Sequence, residues 1–268
     1  MAVANSERCE VAELRRAPWK RYTIPLTELQ MAHLRVFTLN IRHGGGSRVE
    51  KILDEIKAID ADIVVLTEFR NNRAGGAIRN RLTATGHEYQ FTFDTTPNTN
   101  TVLSASRAKP TGTDTQRSAQ DWSDKRHLAI EYGWGHLVAV YLPPGRVKIP
   151  AWDSLLVTAK RLAGAPTILI GDFNTGKHRI DEVGATFIVP EYMDRLEGAS
   201  YTDAWRFKNP DRRGATWRST HNEFRLDYAF LSAPISGFKW DVRHEDRTRT
   251  MGTSDHTAVV VDVDLGSQ

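Results

Sequence analysis

The chain has 268 residues, of which 40% are hydrophobic and 26% charged, a composition typical of a globular protein. Lysine and arginine total 36 against 33 acidic residues, so the net charge of +3 excludes a uniformly basic, histone-like protein but allows a local basic face. The single cysteine, Cys9, excludes an intrachain disulfide and a thiolate metal cage. No apolar run approaches the roughly 18 residues that a membrane span requires. We therefore expect a cytoplasmic protein without membrane contact, and a monomer.

The first 33 residues have no regular hydrophobic pattern. They lack the apolar core of a secretory signal, and their four glutamates argue against a transit peptide. Met31 stands just before the first clear strand pattern, so this segment is either an extension or the result of a misplaced start. We expect a weakly structured extension over 1–33 and a single domain over 34–268.

From residue 34 onward the hydrophobic periodicity predicts alternating strands and helices. Strands are predicted over 34–40, 62–67, 88–93, 101–106, 127–132, 136–142, 167–171, 215–218, 225–231, 237–243 and 256–264. Helices are predicted over 47–59, 76–85 and 151–163, the first capped by Ser47 and the third closed by Gly164. Since no repeat or linker separates two halves, the pattern indicates one α+β domain of mixed sheets with helices packed outside them.

Uncommon polar residues fall where the predicted strands end or begin. These residues are Asn40, Glu68, Tyr141, Asp172, Asn174, Asp227, Asp255 and His256. Any single one is most simply explained as a turn or helix cap, or as a satisfied core histidine. Gathered at one rim of a sheet, they would form an oxygen-rich site for a hard cation such as Mg²⁺, with a histidine left to act on substrate.

Six short segments carry these residues in a fixed order. They are Thr38-Leu-Asn-Ile41, Leu66-Thr-Glu68, Val140-Tyr-Leu-Pro143, Gly171-Asp-Phe-Asn-Thr175, Arg225-Leu-Asp-Tyr228 and Ser254-Asp-His256. In this order they resemble the endonuclease/exonuclease/phosphatase (DNase I-like) superfamily, and the resemblance covers residues 34–264. It implies a four-layer α/β sandwich, in which two packed mixed β-sheets are flanked by helices.

Further stretches, over 172–181, 202–210 and 217–228, resemble the exonuclease III and abasic-site endonuclease branch of that superfamily. The chain departs from the branch after Asn40, where Arg42-His-Gly-Gly-Gly46 replaces a short acidic or Asn-Gly turn, and after Glu68, where Phe69-Arg70 replaces Thr-Lys. Pro143-Pro-Gly145 also replaces the more usual Pro-Asn. These departures leave the residues of the hydrolytic core intact and leave abasic-site specificity open.

The resemblance implies a Mg²⁺ cofactor, for which Mn²⁺ would substitute. Asn40 and Glu68 would hold the ion, and Asp255 would be a further or water-mediated ligand. A divalent ion can activate the attacking water and neutralise charge on the phosphoryl oxygens.

The resemblance also assigns the catalytic roles. Asp172 would be the general base for the attacking water, and Asn174 would donate its amide to a non-bridging phosphoryl oxygen. His256 would contact the same phosphate, with Asp227 fixing its orientation. Tyr141 would contact the phosphate or the leaving oxygen.

Two rival motifs are weaker. The stretch from Gly171 to His178 nearly matches the nucleotide-binding loop GxxxxGK[ST], but His178 stands where the Mg²⁺-binding Ser or Thr belongs. Asp172 would moreover place a carboxylate among amides that cradle phosphate. Ser254, Asp255 and His256 are consecutive, so they cannot form a hydrolase triad.

A basic stretch with interleaved aromatic residues points to the substrate. The candidate nucleic-acid contacts are Arg206, Lys208, Arg212, Arg213, Trp217 and Arg218, with Phe224 and Leu226 where the branch builds its apolar pocket for a baseless sugar. A solvated surface loop is the ordinary explanation, and Phe224 and Leu226 suit a core strand equally well. Beside a phosphoesterase site, however, such cations favour phosphate binding.

The sequence therefore predicts a Mg²⁺-dependent phosphodiesterase acting on DNA, either an abasic-site endonuclease or a 3′-exonuclease of DNA repair. Two alternatives remain open. One is a phosphatase or phosphodiesterase for a small or lipid phosphate, and the other is a catalytically inactive nucleic-acid-binding relative. The sequence does not distinguish DNA from RNA, or one metal ion from two.

Overall fold

Two six-stranded β-sheets form the centre of the structure, a computed structural model that describes residues 33–113 and 126–266. In chain order the strands are β1 (His33–Asn40), β2 (Ile63–Phe69), β3 (Tyr89–Thr92), β4 (Thr101–Ser106), β5 (Gly112–Thr113), β6 (His127–Tyr132), β7 (Gly135–Tyr141), β8 (Thr167–Asp172), β9 (Glu182–Val183), β10 (Tyr201–Asp203), β11 (Trp217–Arg218), β12 (Glu223–Phe224), β13 (Asp227–Ser232), β14 (Lys239–Glu245) and β15 (Ala258–Asp264). The helices are α1 (Val49–Ile59), α2 (Arg73–Ala84), α3 (Ile149–Leu162), α4 (Glu191–Glu197), α5 (Ala204–Lys208), α6 (Ala233–Ser236) and α7 (Arg247–Thr250).

Both sheets are mixed. The first has the order β14-β15-β1-β2-β4-β3 and the second β10-β13-β8-β7-β6-β5, while β11, β12 and β9 form a small third sheet. Strand β1 runs parallel to β2, and β7 runs parallel to β8. The carboxyl ends of each parallel pair therefore lie at the same edge of their sheet.

Three hydrophobic clusters hold four layers together. Between the sheets, residues such as Val36 of β1 pack against residues such as Ile168 of β8. On the outer face of the first sheet, Ile52 of α1 and its neighbours cover the strands. On the outer face of the second sheet, the fully buried Trp152 of α3 and Met193 of α4 do the same. The predicted four-layer α/β sandwich of two mixed sheets is confirmed.

Two predicted caps are wrong. Helix α1 begins only at Val49, because a 3₁₀ turn over Gly46–Arg48 precedes it, and Arg48 rather than Ser47 occupies its N-cap position. Helix α3 ends at Leu162, and Ala163 with right-handed backbone angles follows it, so Gly164 does not provide a left-handed cap. The short helices α4 to α7 had no signal, because four to seven residues are too few to show a helical period.

The predicted N-terminal extension falls, apart from His33, outside the described residues. His33 is already the first residue of β1 and pairs with Asp264 at the far end of β15. Among the residues that the structure describes, no helix has the length and apolar character needed to cross a bilayer.

Candidate active site

Three of the predicted catalytic residues form one row across the second sheet. Tyr141 at the end of β7 is in register with Asp172 at the end of β8, and Asp172 is in register with Asp227 at the start of β13. Neighbouring strands lie about 4.8 Å apart, so the backbone ladder fixes the spacing of the three side chains. All three residues are buried.

Asp172 lies at the centre of the site. Its Oδ2 accepts hydrogen bonds from Asn40 Nδ2 at 2.9 Å and Asn174 Nδ2 at 3.1 Å, and its Oδ1 accepts one from Asn174 N at 2.9 Å. Burial, with the charge of Asp227 next, raises the pKa of Asp172, although the charge of His256 and the Asn40 hydrogen bond oppose the shift. A carboxylate with a raised pKa and three donors around it suits proton abstraction from a water molecule.

Asn174 has a left-handed backbone, with φ of 47°. This conformation turns its amide back toward Asp172, and Nδ2 also donates to Leu142 O at 2.8 Å. The buried side chain of Lys148 donates to the Asn174 carbonyl and so holds the turn from behind. Lys148 was not predicted as a site residue, because nothing in its local sequence connects it to a residue 26 positions away.

His256 and Asp227 form a buried pair. His256 Nδ1 lies 2.7 Å from Asp227 Oδ2. Burial by itself lowers the pKa of His256, but the charge and hydrogen bond of Asp227, together with Asp172 and Asp255, raise it to about 9. His256 is therefore a cation at neutral pH, and Nε2 is its free N–H donor once Nδ1–H is committed to Asp227.

The predicted metal ligands lie at the edge of the first sheet, facing Asp172. Asn40 Nδ2 is 3.2 Å from Glu68 Oε1, and Ser254 Oγ donates to the Asn40 carbonyl at 2.5 Å, which brings Asp255 to the same edge. The Asp255 carboxylate lies 3.8 Å from Arg42 Nε. The structure thus gathers all eight predicted catalytic and metal-binding residues into one centre.

This donor set fits a hard divalent cation. Glu68 Oε1 and Asp172 Oδ2 both accept hydrogen bonds from Asn40 Nδ2, at 3.2 Å and 2.9 Å. Carboxylate oxygens are the hard ligands that Mg²⁺ and Mn²⁺ bind, and Asn40 would ligate an ion by turning its amide oxygen toward it. Among the described residues, the buried Asp227 Oδ1 has no hydrogen-bond partner. Ligand atoms of Asp172, Asp227 and His256 also lie within 4.8 Å of one another, but an ion bound there would have to displace the His256–Asp227 hydrogen bond.

A run of left-handed residues surrounds Glu68. Arg42, His43 and Gly44 to Gly46 all have positive φ, and Glu68 itself has φ of 55° where β2 bulges against β4. The His43 N–H donates to Glu68 Oε2 and the Gly44 N–H to the Glu68 carbonyl, both at 2.8 Å. The loop thereby orients the Glu68 carboxylate before any ligand binds.

An aromatic wall borders the centre. Trp217 forms an isolated β-bridge with His256, and its Nε1 lies 3.4 Å from Asp255 Oδ2. The Trp217 ring stacks on Phe224 at a centroid distance of 5.8 Å, and Phe224 packs on Phe187 at 5.0 Å. Leu226 is buried and adjoins Asp227. Three predicted substrate contacts, Trp217, Phe224 and Leu226, thus lie beside the catalytic residues.

The predicted basic residues separate into two groups. Arg206 and Lys208 belong to α5, Arg212 and Arg213 are exposed in the loop that follows, and Arg218 lies in β11. Four of these side chains contact other parts of the protein, and one of the four is Arg218, whose Nε lies 3.5 Å from Glu223 Oε1. Arg206 donates to Asp181 and to three backbone carbonyls, Lys208 lies 4.5 Å from the centre of the Trp240 ring, and Arg212 lies over Trp205. Arg206 therefore organises the loop, whereas Arg213 and Arg218 face solvent.

A buried ion network behind the site was not predicted as such. The fully buried Arg225 donates to Asp203 Oδ1 at 2.8 Å and to Asp181 Oδ1 at 2.9 Å. The Arg225 charge lowers the pKa of Asp181 against the opposing effect of burial. The Tyr228 hydroxyl completes the network by donating to the Arg225 carbonyl at 2.8 Å. This network fixes the start of β13, and so the position of Asp227.

Solved structures with the same fold include a phosphatase bound to DNA, an endonuclease and an exonuclease. A 3′ phosphatase from Neisseria bound to a product DNA hairpin superposes with a TM-score of 0.73 at 18% identity, covering 86% of this chain and 99% of that one. An AP endonuclease from Archaeoglobus fulgidus gives 0.71 at 17% identity over 85% and 98% of the two chains. A 3′-5′ exonuclease from Neisseria meningitidis gives 0.71 at 20% identity over 86% and 100%.

The chain is also similar in sequence to a repair protein. Recombination repair protein 1 of Drosophila melanogaster is 29% identical over 161 residues, which cover 51% of this chain. The match is 23% of that relative, so the chain spans less than a quarter of its length. The model of the endonuclease/exonuclease/phosphatase family matches residues 37–256. The chain therefore belongs to the endonuclease/exonuclease/phosphatase family.

Proposed function

We propose that the protein is a Mg²⁺-dependent DNA phosphodiesterase that works as an abasic-site endonuclease or a 3′-exonuclease in DNA repair. The observation that carries the choice of DNA is the position of Trp217. Its backbone pairs with His256 and its ring stacks on Phe224, so an apolar aromatic surface adjoins the residues that handle the phosphate. Such a surface fits an unstacked base or a baseless sugar, and the exposed Arg213 and Arg218 suit flanking phosphates.

The chain's own residues account for most of the chemistry. Asp172 accepts a proton from the attacking water as the new P–O bond forms and the P–O bond to the leaving oxygen breaks. The His256 Nε2–H donates to a phosphoryl oxygen as its negative charge grows. Asn174 Nδ2 has two hydrogens, so it donates to a second phosphoryl oxygen by giving up its 3.1 Å hydrogen bond to Asp172. Burial raises the pKa of Tyr141, with the charge of Glu68 next, so its hydroxyl keeps its proton and donates toward the leaving oxygen. Asn40 and Glu68, with Asp255, would hold Mg²⁺, which supplies charge neutralisation at the phosphate.

The direct test is cleavage of end-labelled duplexes. One duplex is intact, one carries a single abasic-site analogue, and one ends in a 3′-phosphate. Each is incubated with Mg²⁺, with EDTA, and with the Asp172→Asn variant, and Asp211→Asn serves as a matched control because Asp211 is an exposed acid in the basic loop.

We expect incision at the lesion or stepwise loss of 3′ nucleotides, dependent on metal and on Asp172 but not on Asp211. Incision identifies an endonuclease, and stepwise loss identifies an exonuclease. Release of the 3′-phosphate alone would make the protein a DNA phosphatase and overturn the diester assignment. If a folded protein leaves all three substrates intact but hydrolyses a small phosphodiester, the choice of DNA is wrong.

A further inference from the structure

The loops that follow β1 and β2 meet in space. His43 lies in the glycine-rich loop after β1, and Arg70 follows β2. The Arg70 Nη2 lies 3.1 Å from His43 Nδ1, and the Arg70 Nε lies 2.6 Å from Asn100 Oδ1. One guanidinium thus bridges two side chains at the rim of the metal-binding edge.

The bridge fixes which way Asn100 faces. Arginine has donors and no acceptor, so the Asn100 atom that meets Arg70 Nε must be its oxygen. The Asn100 Nδ2 then points the other way and donates to the Tyr141 hydroxyl at 3.3 Å. Since the Tyr141 oxygen accepts this hydrogen bond, its own proton is left for another acceptor. Arg126 supports the arrangement by donating to the Asn100 carbonyl at 2.8 Å.

The same bridge fixes the tautomer of His43. The donors Arg70 Nη2 and Asn100 Nδ2 both face His43 Nδ1, at 3.1 Å and 3.3 Å, so this nitrogen acts as an acceptor. Glu68 Oε2 lies 3.0 Å from the same nitrogen. A proton on Nδ1 would make this one hydrogen bond and oppose two donors, whereas an unprotonated Nδ1 accepts from both donors. The ring proton therefore lies on Nε2, which has no partner within the described part of the chain, on a side chain that is 62% exposed.

The loop is shaped to admit Arg70. A Cβ at Gly44 would lie 3.0 Å from Arg70 Cβ and 3.3 Å from its Cγ, and Gly44 has φ of +77°. A side chain at this position would be strained and would displace the arginine stem. The absence of a side chain at Gly44 thus lets the guanidinium reach His43 and Asn100.

We infer that Arg70 and Asn100 are positioning residues that turn two donors, the His43 Nε2–H and the Tyr141 O–H, toward a substrate phosphate on the side of the metal-binding edge away from His256. This inference deepens the proposed function and rests on it for the identity of the substrate. His43 would contact an oxygen of a nucleotide phosphate, which is an acceptor with no proton to give. A site with donors fixed in advance favours such a ligand, because no side chain needs to reorient on binding.

The first measurement is the tautomer of His43, from long-range ¹H–¹⁵N correlation spectra recorded with and without Mg²⁺. We expect the Nε2–H form in the wild type and a mixture of tautomers in Arg70→Lys, which keeps the charge but loses the planar fork. Arg79→Lys is the matched control, since Arg79 is exposed on α2. An Nδ1–H tautomer in the wild type would overturn the inference.

The second measurement is DNA affinity, in the Asp172→Asn background to prevent cleavage. Glutamine can place an amide N–H near the position of His43 Nε2, whereas leucine cannot. We expect about tenfold weaker binding for His43→Leu and a change below about twofold for His43→Gln, from the loss or retention of a hydrogen bond to a charged group. His33→Leu, at the opposite end of β1, should bind like the parent. Equal losses in both His43 variants would overturn the contact.

Asn100→Asp tests whether Asn100 orients the Tyr141 hydroxyl, and it changes the shape of the side chain little. A carboxylate would accept the Tyr141 proton rather than donate to its oxygen, so we expect kcat to fall at least tenfold with KM changed less than twofold. An unchanged kcat would overturn the proposal that Asn100 orients the Tyr141 hydroxyl.

If the wild type neither binds nor cleaves DNA, the proposed function fails while the inference about His43 can still be decided. Inorganic phosphate is then the probe. A shift of the His43 Nε2 resonance on titration, reduced in Arg70→Lys, supports the phosphate contact, and no shift overturns it.

Discussion

His256 Nδ1 and Asp227 Oδ2 are 2.7 Å apart in a pair whose side chains are 7% and 1% exposed. The carboxylate is thus a main reason that His256 keeps its proton at neutral pH. Burial alone would lower the pKa of the imidazole, and Asp227 is the largest of the charges that raise it to about 9.

Asp227→Asn should therefore move the alkaline limb of the rate profile to lower pH. The amide keeps the shape but loses the charge, so the pKa of His256 falls and the donor form is lost earlier as pH rises. We expect kcat at pH 8 to drop about 10²-fold or more. Rates from pH 6 to 10 measure the effect against Asp211→Asn, and an alkaline limb at the wild-type position would contradict it.

Trp217→Ala should weaken DNA binding or cleavage without disturbing the catalytic groups. A base stacked on an aromatic ring gains about 1–3 kcal/mol, so we expect about a tenfold or larger loss in kcat/KM. Phe207→Ala is the control, since Phe207 is 66% exposed and packs on Trp240 instead. Equal losses in the two variants would show that the Trp217 wall has no special role.

Arg225→Met should destabilise the fold. Removing this fully buried guanidinium leaves Asp203 and Asp181 without their main counter-charge, which costs about 3–5 kcal/mol in buried ion pairs. Urea unfolding followed by tryptophan fluorescence gives the free energy of unfolding. Arg212→Met, at an exposed position, should lose less than about 0.5 kcal/mol, and equal values for both would refute the importance of the network.

His244 should make the protein less stable as the pH falls below neutral. Its ring stacks on Trp205 at 3.6 Å, and burial, with Arg225 and Arg212 next, lowers the pKa of His244 to about 3. The unfolded chain binds this proton near pH 6.5 and the folded chain does not, so the free energy of unfolding declines from pH 6.5 toward pH 3 by up to about 1.4 kcal/mol per pH unit.

His244→Phe keeps the ring stack and should reduce this slope. Burial also lowers the pKa of His87, so part of the slope should remain in the variant. Melting temperatures between pH 4.5 and 7.5 test this, with the exposed His33→Phe as control. A slope equal to that of the wild type would contradict the assignment to His244.

Much of the centre was predictable because its residues follow strand ends, and strand ends are visible as interruptions of apolar periodicity. Asn40 and Glu68 lie at the ends of the parallel strands β1 and β2, and Tyr141 and Asp172 lie at the ends of the parallel strands β7 and β8, so each pair meets at one sheet edge by parallel pairing. That the two edges face each other depends on how the sheets pack. The partners that support them were not predictable. Lys148 reaches Asn174 and Arg70 reaches Asn100 only through packing, and neither distance along the chain nor residue type indicates the contact.

In the basic stretch, by contrast, a pattern that is visible in the sequence did not predict how each side chain is used. Its cations were grouped because they are close in sequence, but side-chain packing decides their use. Arg206 lies against Asp181 and backbone carbonyls, whereas Arg213 faces solvent. Composition alone does not distinguish an arginine that holds a loop from one that is available to a polyanion.

Tyr141, Asp172 and Asp227 are held in register by the second sheet, so the catalytic residues do not depend on the segments that would contact substrate. Their spacing depends on the pitch of the sheet, which insertions in the surrounding loops do not change. The aromatic wall and the Arg70 bridge, in contrast, belong to connections between strands. Exchanging residues 207–224 with those of a relative leaves Arg206 and Arg225 in place. It should therefore yield a hydrolase with altered substrate preference and an unaltered bond-breaking step, which makes this chain a suitable scaffold for grafting nucleic-acid specificity.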